Sequence, residues 1–293
     1  MKRLNYILML LATTTALLTG CNKNNITTDF HPDFAKVLQE KGYISDTAHI
    51  TLADVKDIKI LDVSGTFKDY LAGKGLTSLK GIEYFESLTD LDCHNNQLTK
   101  LDVRNNTKLT SLECMGNQLK TLDVSKNTEL TDLDCSNNQL TTLDLRKNTA
   151  LTTLVCGANQ LTTLNVSKNT KLTNLYCPNN QLTTLDISKN TKLTSLSCAS
   201  NQLTTLDVCK NTALTRLFCD HNQLTTLDVC KNTELTILTC PHNQLTNLNV
   251  SKNTELTDLD CSNNQLTNLD VRKNTKLTSL SCAELQLGDL GGR

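Results

Sequence analysis

Ten cysteines of this 293-residue chain stand at positions 93, 114, 135, 156, 177, 198, 219, 240, 261 and 282, each 21 residues from the next. Thiolates act as metal ligands, nucleophiles and disulfide partners, so the spacing decides which chemistry is open to them. There is no C-x-x-C pair, and one thiol per 21 residues offers no local ligand set. A free Cys is otherwise a small buried hydrophobe, and identical side chains stacked in register fill a narrow core well. The ten are therefore read as structural thiols. Cys209 and Cys230 differ, because they replace the Ser of most copies, point outward and lie in adjacent copies. A separation of about 4.8 Å between neighbouring extended segments falls within disulfide range, so these two are candidates for a bond, with two surface thiols as the alternative.

Other reactive residues form no catalytic constellation. His221 and His242 share a column in neighbouring copies, as a metal pair would, but two incidental surface histidines explain them as well. Asp90, Asp92, Asp132 and Asp134 lie close together, yet are too uniform and solvated for an acid/base pair. No nucleophile–His–acid set, metal-ligand spacing or glycine loop is found, so the reading is not an enzyme, with no cofactor and no metal. Charge is nearly balanced, 29 basic against 30 acidic side chains, which argues against a sequence-independent nucleic-acid partner. Lys126, Lys147, Lys168 and their successors form a basic row, but Asp123 and its equivalents run beside it as a neutralising, solvated face.

The elements that must hold these residues follow from the repeat. A typical unit reads Leu130-Thr-Asp-Leu133-Asp-Cys135-Ser-Asn-Asn138-Gln-Leu140-Thr-Thr-Leu143-Asp-Leu145-Arg-Lys-Asn148-Thr-Ala. Leu133 and Cys135 alternate with Asp132, Asp134 and Ser136, the period-two pattern of a strand with one buried side. Leu140, Leu143 and Leu145 repeat the spacing, which suggests a second narrow strand or extended row opposite, ended by a turn at Asn148. Asn138 and its equivalents can bond buried backbone groups of the turn as a ladder. Aromatics are 3% of the chain and Trp is absent, so the core is Leu and Cys rather than large rings. No coil can bury its apolar face alone, and stability therefore depends on neighbours.

The segment LxxLxCxxNxL resembles the leucine-rich-repeat signature, with Cys where that family has a third Leu or Ile. The likeness runs from about Leu76 to Leu290. Leu76-Thr-Ser-Leu79-Lys-Gly-Ile82 resembles the first coil of internalin-type proteins, and LDCSNNQLTTLDVSKNT resembles repeats in lipoproteins of gut Bacteroidetes. The resemblance implies a right-handed repeat solenoid with a parallel β-sheet on its concave face. Phe30 to Lys41 reads as a short N-terminal helical cap, with Pro32 in its first turn, Gly42 past its end and Phe34, Val37 and Leu38 on one face. Ile58 to Val63 begins the sheet.

At the N-terminus, Lys2 and Arg3 precede an apolar run from Leu4 to Leu18, the layout of a secretory signal. The run ends in Leu18-Thr19-Gly20-Cys21, which resembles the bacterial lipobox and implies lipid attachment at Cys21. Two or more acyl chains suffice for stable anchoring. Loss of Lys2 and Arg3 would take the net charge from −1 to −3. Asn22 follows the Cys, where an Asp would resemble an inner-membrane retention signal, so the outer membrane is expected. The domain expectation is signal peptide 1–20, tether 21–29, cap region 30–75, solenoid 76–290 and tail 291–293. Asp46-Thr47-Ala48 resembles a short O-glycosylation signal of Bacteroidetes. Leu285, Leu287 and Leu290 keep the repeat phase up to the terminal Gly291-Gly292-Arg293.

The repeats can be compared with one another. Most columns hardly change, and variation gathers at the positions flanking the first-strand Leu. Those positions are acidic near both ends (Asp132 and Asp134 among them) and carry Val155, Tyr176, Arg216, Phe218 and Ile237 in the middle. Exposed aromatics beside Arg are what a binding hot spot is made of. The expected partner is a protein or glycoprotein held on the concave face of a monomer. Two other readings are carbohydrate stacking on Tyr176 and Phe218, and ordering of water by Thr pairs such as Thr141-Thr142.

Overall fold

The computed structural model describes residues 25–282. Cys21 with its lipobox, the signal and the first part of the tether, through Asn24, lie outside that range, as do Leu285, Leu287, Leu290 and the tail. Among the described residues no helix is long and apolar enough to cross a membrane.

The cap forms first. Helix α1 spans Pro32–Glu40, with Pro at its first position and buried Phe34, Ala35 and Leu38; Val37 is only partly buried. Gly42 closes it at φ 79°, a conformation a side chain would resist. Two short helices, α2 (Leu52–Val55) and α3 (Phe67–Leu71), flank the first strand, β1 (Ile60–Asp62). Much of the chain's aromatic content is spent here: the Phe30 ring stacks on Phe34 at 5.8 Å and on Tyr84 at 6.1 Å, and Phe85 packs against both phenylalanines. Gly81 is required beside them, because a Cβ there would stand 2.6 Å from the Phe30 ring.

Ten further strands of three residues follow, one per coil: β2 (Asp90–Asp92), β3 (Ser111–Glu113), β4 (Asp132–Asp134), β5 (Thr153–Val155), β6 (Asn174–Tyr176), β7 (Ser195–Ser197), β8 (Arg216–Phe218), β9 (Ile237–Thr239), β10 (Asp258–Asp260) and β11 (Ser279–Ser281). With β1 they make one 11-stranded sheet in strict sequence order, every pairing parallel. The register step is one repeat, so Leu91, Leu112, Leu133 and their successors stack in a single row. A coil such as 172–187 turns Leu172, Leu175, Cys177, Leu182, Leu185 and Ile187 inward, all buried.

The ten in-phase cysteines behave as the spacing suggests. Nine of them are fully buried free thiols in one row, and Cys282, in the last described coil, is partly exposed. Burial pushes the Cys177 thiol up to about 12, so these groups stay protonated and uncharged.

The second row does not become a strand. Leu140, Leu143 and Leu145 are buried, but the backbone there is extended and turning. Asp144 accepts the Arg146 amide at 3.0 Å, an Asx turn that bends the chain before neighbouring rows can pair. Asn148 then closes the return turn, its amide donating to Leu145 O at 3.0 Å. The same Asx turn recurs at Asp102, Asp123, Asp186, Asp207 and Asp228. This row of carboxylates therefore serves the backbone first, and pairs with Arg104, Arg146 and Arg272 where an Arg stands two residues on.

Two asparagine ladders hold the coils together. In the first, Asn180 is typical: its Nδ2 donates to Cys156 O, Cys177 O and Pro178 O, and its Oδ1 accepts the Leu161 amide at 3.0 Å. In the second, Asn190 donates to Val166 O and Asn169 O, but its buried Oδ1 has no partner. That asymmetry recurs at every coil from Asn106 to Asn274.

Candidate binding face

A three-residue strand buries its central Leu and must turn the residues on either side of it outward. The open face of the sheet is thus two columns, in register from strand to strand, plus the residue just past each strand. One column runs Asp90, Ser111, Asp132, Thr153, Asn174, Ser195, Arg216, Ile237 and Asp258, the other Asp92, Glu113, Asp134, Val155, Tyr176, Ser197, Phe218, Thr239 and Asp260.

The middle of this face holds the apolar residues expected there. Val155, Tyr176, Phe218 and Ile237 are half-buried, and Arg216 is exposed. They are not one flat patch. Tyr176 leans across to β7, where its hydroxyl donates to Ser195 Oγ at 3.1 Å and accepts from Asn174 Nδ2 at 3.0 Å. The ring covers Ser195, which is only 1% exposed. Burial raises the Tyr176 phenol, but its bonds to Ser195 and Asn174 and the nearby Arg216 charge outweigh that and leave it below the ordinary value. Tyr176 is therefore a fixed surface, joined electrostatically to Arg216 two strands away. A pre-set ring loses little freedom when a partner lands on it. Gly157, just past β5, belongs to the same region; a Cβ there would stand 2.8 Å from the Pro178 ring.

The acidic part begins on the N-terminal side. Asp62, Asp92, Glu113 and Asp134 face one another across four consecutive strands, with Asp132 exposed beside Asp134. Lys41 Nζ reaches Asp62 at 3.1 Å, and Asp134 accepts the Ser136 hydroxyl at 2.6 Å. His94 Nδ1 lies 2.6 Å from Asp92 Oδ1. One ligand atom from each of Asp92, His94 and Glu113 falls within 4.8 Å of the others. Sequence reasoning missed this trio, although Asp-x-His followed by Glu in the next repeat was the available signal. Two shallow grooves run along this half, one walled by Asp62, Asp90, Asp92 and Glu113, the other by Glu113, Asp132, Asp134 and Val155.

The two histidines expected as incidental are turn residues. His221 and His242 have φ of 51° and 53°, in the column where other coils place Asn137, Asn179 and Asn263. Their rings stack at 4.3 Å, and His221 Nδ1 lies 3.0 Å from Asp220. Cys209 and Cys230 are half-exposed free thiols in this structure. Burial and the carboxylates of Asp207 and Asp228 hold the Cys209 thiol up, and Asp228 does the same for Cys230.

No protein family and no curated protein matches this chain. Solved structures do. The functional domain of InlJ from Listeria monocytogenes, which includes a cysteine ladder, is 44% identical over 80% of this chain at a TM-score of 0.76. This chain spans only 50% of that domain's length. An internalin, inlF, of the same organism is 22% identical, with 92% of this chain and 94% of that one covered and a TM-score of 0.58. The ectodomain of the Arabidopsis thaliana receptor kinase GASSHO1/SCHENGEN3 is 20% identical over 81% of this chain and 34% of its own, at a TM-score of 0.63. The chain therefore has the leucine-rich-repeat fold, with internalin-type proteins of Listeria among its structural neighbours.

Proposed function

We propose that this chain is a bacterial outer-membrane lipoprotein, anchored through Cys21, whose solenoid recognises a protein ligand on the open face of its sheet and catalyses nothing. The observation that carries the reading is the central patch. Val155, Tyr176, Arg216, Phe218 and Ile237 gather on β5, β6, β8 and β9, on the face where variation between the repeats gathers. Aromatic side chains and Arg at the centre of a rigid surface supply most of the binding energy in protein interfaces. The acidic flank with Asp132 and Asp134 adds electrostatic selection for a partner of complementary charge. The neighbours support a binding module: the GASSHO1/SCHENGEN3 ectodomain was solved in complex with CASPARIAN STRIP INTEGRITY FACTOR 2. The shallow, open grooves of this face suit a macromolecular contact better than enclosed small-molecule chemistry.

The test is a pull-down of host and cell-surface proteins on the immobilised chain, run beside a glycan array. Capture of a defined protein, lost in the Arg216→Ala/Phe218→Ala variant with an unchanged melting temperature, is the expected result. Undiminished capture by the variant refutes the patch, and glycan binding without protein capture replaces the protein ligand by a carbohydrate.

A further inference from the structure

We propose that Asp92, His94 and Glu113 hold a divalent cation of the zinc class on the open face, at the N-terminal end of the sheet. Extended backbone places Asp92 and His94, two residues apart, on the same side of the chain. Parallel register sets Glu113 of β3 directly opposite Asp92 of β2. The three donor atoms thus converge from two coils, all within 4.8 Å of one another. Ligands about 2.0–2.1 Å from a tetrahedral metal stand about 3.3 Å apart, so closure needs only side-chain rotation. The His94–Asp92 pair, at 2.6 Å, opens slightly to admit the ion.

Electrostatics points the same way. Four carboxylates stack at strand spacing from Asp62 to Asp134, and like charges directly opposite destabilise a sheet. Asp62 has Lys41, and Asp134 has the hydroxyl and amide of Ser136. Among the described residues the Glu113 side chain has no hydrogen bond or ion pair, and burial together with Asp92 raises its carboxyl above the ordinary value. A bound cation removes that conflict. Asp92 and His94 are about one-third exposed, 32% and 28%, so their field is less screened than on an open surface.

The donor set selects the ion. One imidazole nitrogen with two carboxylate oxygens suits zinc, whereas calcium requires six to eight oxygens. Three protein ligands leave a coordination position open toward solvent on the same face as the central patch. The repeats show that the trio is not the default filling of these columns. Where this coil has His94, the others have Met115, Ser136, Gly157, Pro178, Ala199, Asp220, Pro241 and Ser262. Glu113 is the one Glu in a column whose other acids are Asp, and its extra methylene is the reach needed to meet a ligand on the preceding coil. This inference stands apart from the protein-binding reading, since it rests on no residue of the central patch.

The experiment is calorimetric titration of the full chain with zinc chloride at neutral pH, repeated on His94→Ala, Glu113→Gln and, as a control, Asp258→Asn at the opposite acidic end. We expect the chain to take up one more zinc than His94→Ala does, with affinity at least about 10-fold weaker in Glu113→Gln. Asp258→Asn should match the parent, manganese should bind more weakly, and calcium should not compete. Taking the difference between parent and variant cancels zinc bound at exposed thiols or at His221 and His242. Superimposable isotherms for the parent, His94→Ala and Glu113→Gln overturn the site. So does competition by calcium, or loss of the same zinc in Asp258→Asn. Each variant alters a surface side chain, and a thermal melt beside each titration confirms the fold; Glu113→Gln alone decides the matter should His94→Ala unfold.

Discussion

Consider Asn201→Ala against Asn190→Ala, two substitutions that remove the same atoms from neighbouring coils. Burial alone would rank Asn190 as the costlier, since it is 0% exposed and Asn201 is 8% exposed. The bonding reverses that order. Asn201 Oδ1 accepts the Leu182 amide at 3.0 Å, and no other acceptor serves that buried N–H. Its Nδ2 donates to Cys177 O, Cys198 O and Ala199 O, but each of these keeps another donor: Asn180, Asn222 and the Asn179 amide respectively. One orphaned buried amide costs about 1–3 kcal/mol, and the lost net bonds add about 1 kcal/mol or more, so Asn201→Ala should cost about 2–5 kcal/mol. Asn190 donates to Val166 O and Asn169 O, which retain the Asn169 and Leu172 amides. Its removal orphans nothing and deletes an Oδ1 that is already unpartnered. The two lost bonds, about 0.5–1.5 kcal/mol each, are partly offset by that relief, leaving about 0–2 kcal/mol. The cavity term is common to both and cancels to first order. Urea unfolding followed by far-ultraviolet circular dichroism would compare the midpoints, and amide exchange at Leu182 would report the local opening. A midpoint for Asn190→Ala equal to or below that for Asn201→Ala would refute the reasoning, because it would make burial rather than partner accounting the determinant.

Other expectations follow from the same geometry. Because burial raises the row of core thiols, with Cys177 at about 12 against an ordinary 9.0, the unfolded chain sheds those protons first as pH rises. Stability should be intact well below pH 9 and fall above it, the slope approaching about 1.4 kcal/mol per pH unit for each thiol once the unfolded thiol is fully ionised. Cys177→Ala/Cys198→Ala should therefore reduce the fall measured between pH 9 and 10 by about 2 kcal/mol. Ala158 sits at φ 50°, in the column where Asn137 and Asn179 sit at 51° and 53°; Ala158→Asn should raise the urea midpoint, by about 0.5–1 kcal/mol of stability, since Asn adopts this conformation at lower cost than Ala. Oxidised glutathione should join Cys209 to Cys230 slowly, both thiols being held up by neighbouring Asp, and the chain should lose about 2 Da, a loss absent in Cys209→Ser. Cys21→Ser should move the chain from the membrane fraction to the soluble one, and retention in the membrane would refute lipid attachment.

Repetition makes much of this protein legible without coordinates. A 21-residue period in Leu, Cys and Asn admits one structure, because each coil must hide the same apolar row against its neighbours, and a slip of one residue would turn that row to solvent. Strand position, the thiols in the core and the capping of the first Asn ladder all follow from side-chain alternation, which is local. So does the cap helix, set by Pro32 and Gly42. The signal and lipobox are likewise local patterns, and the anchor remains a proposal on those residues.

What only the three-dimensional structure decided is of two kinds, local backbone bends that the residue pattern does not show and contacts between neighbours 19 to 21 residues apart. The second apolar row is not a strand, since Asx turns at Asp144 and its equivalents bend the backbone before it can pair. Tyr176 is tied to Ser195, 19 residues on, so the aromatic patch is a leaning ring rather than a free one. His221 and His242 occupy left-handed turns, a backbone demand that composition does not reveal. Glu113 reaches Asp92 and His94 only because β2 and β3 align in parallel register. A periodic sequence determines its own coil, since every coil solves the same burial problem. Chemistry between coils depends on side-chain directions across the stack, and these exist only once the coils are stacked.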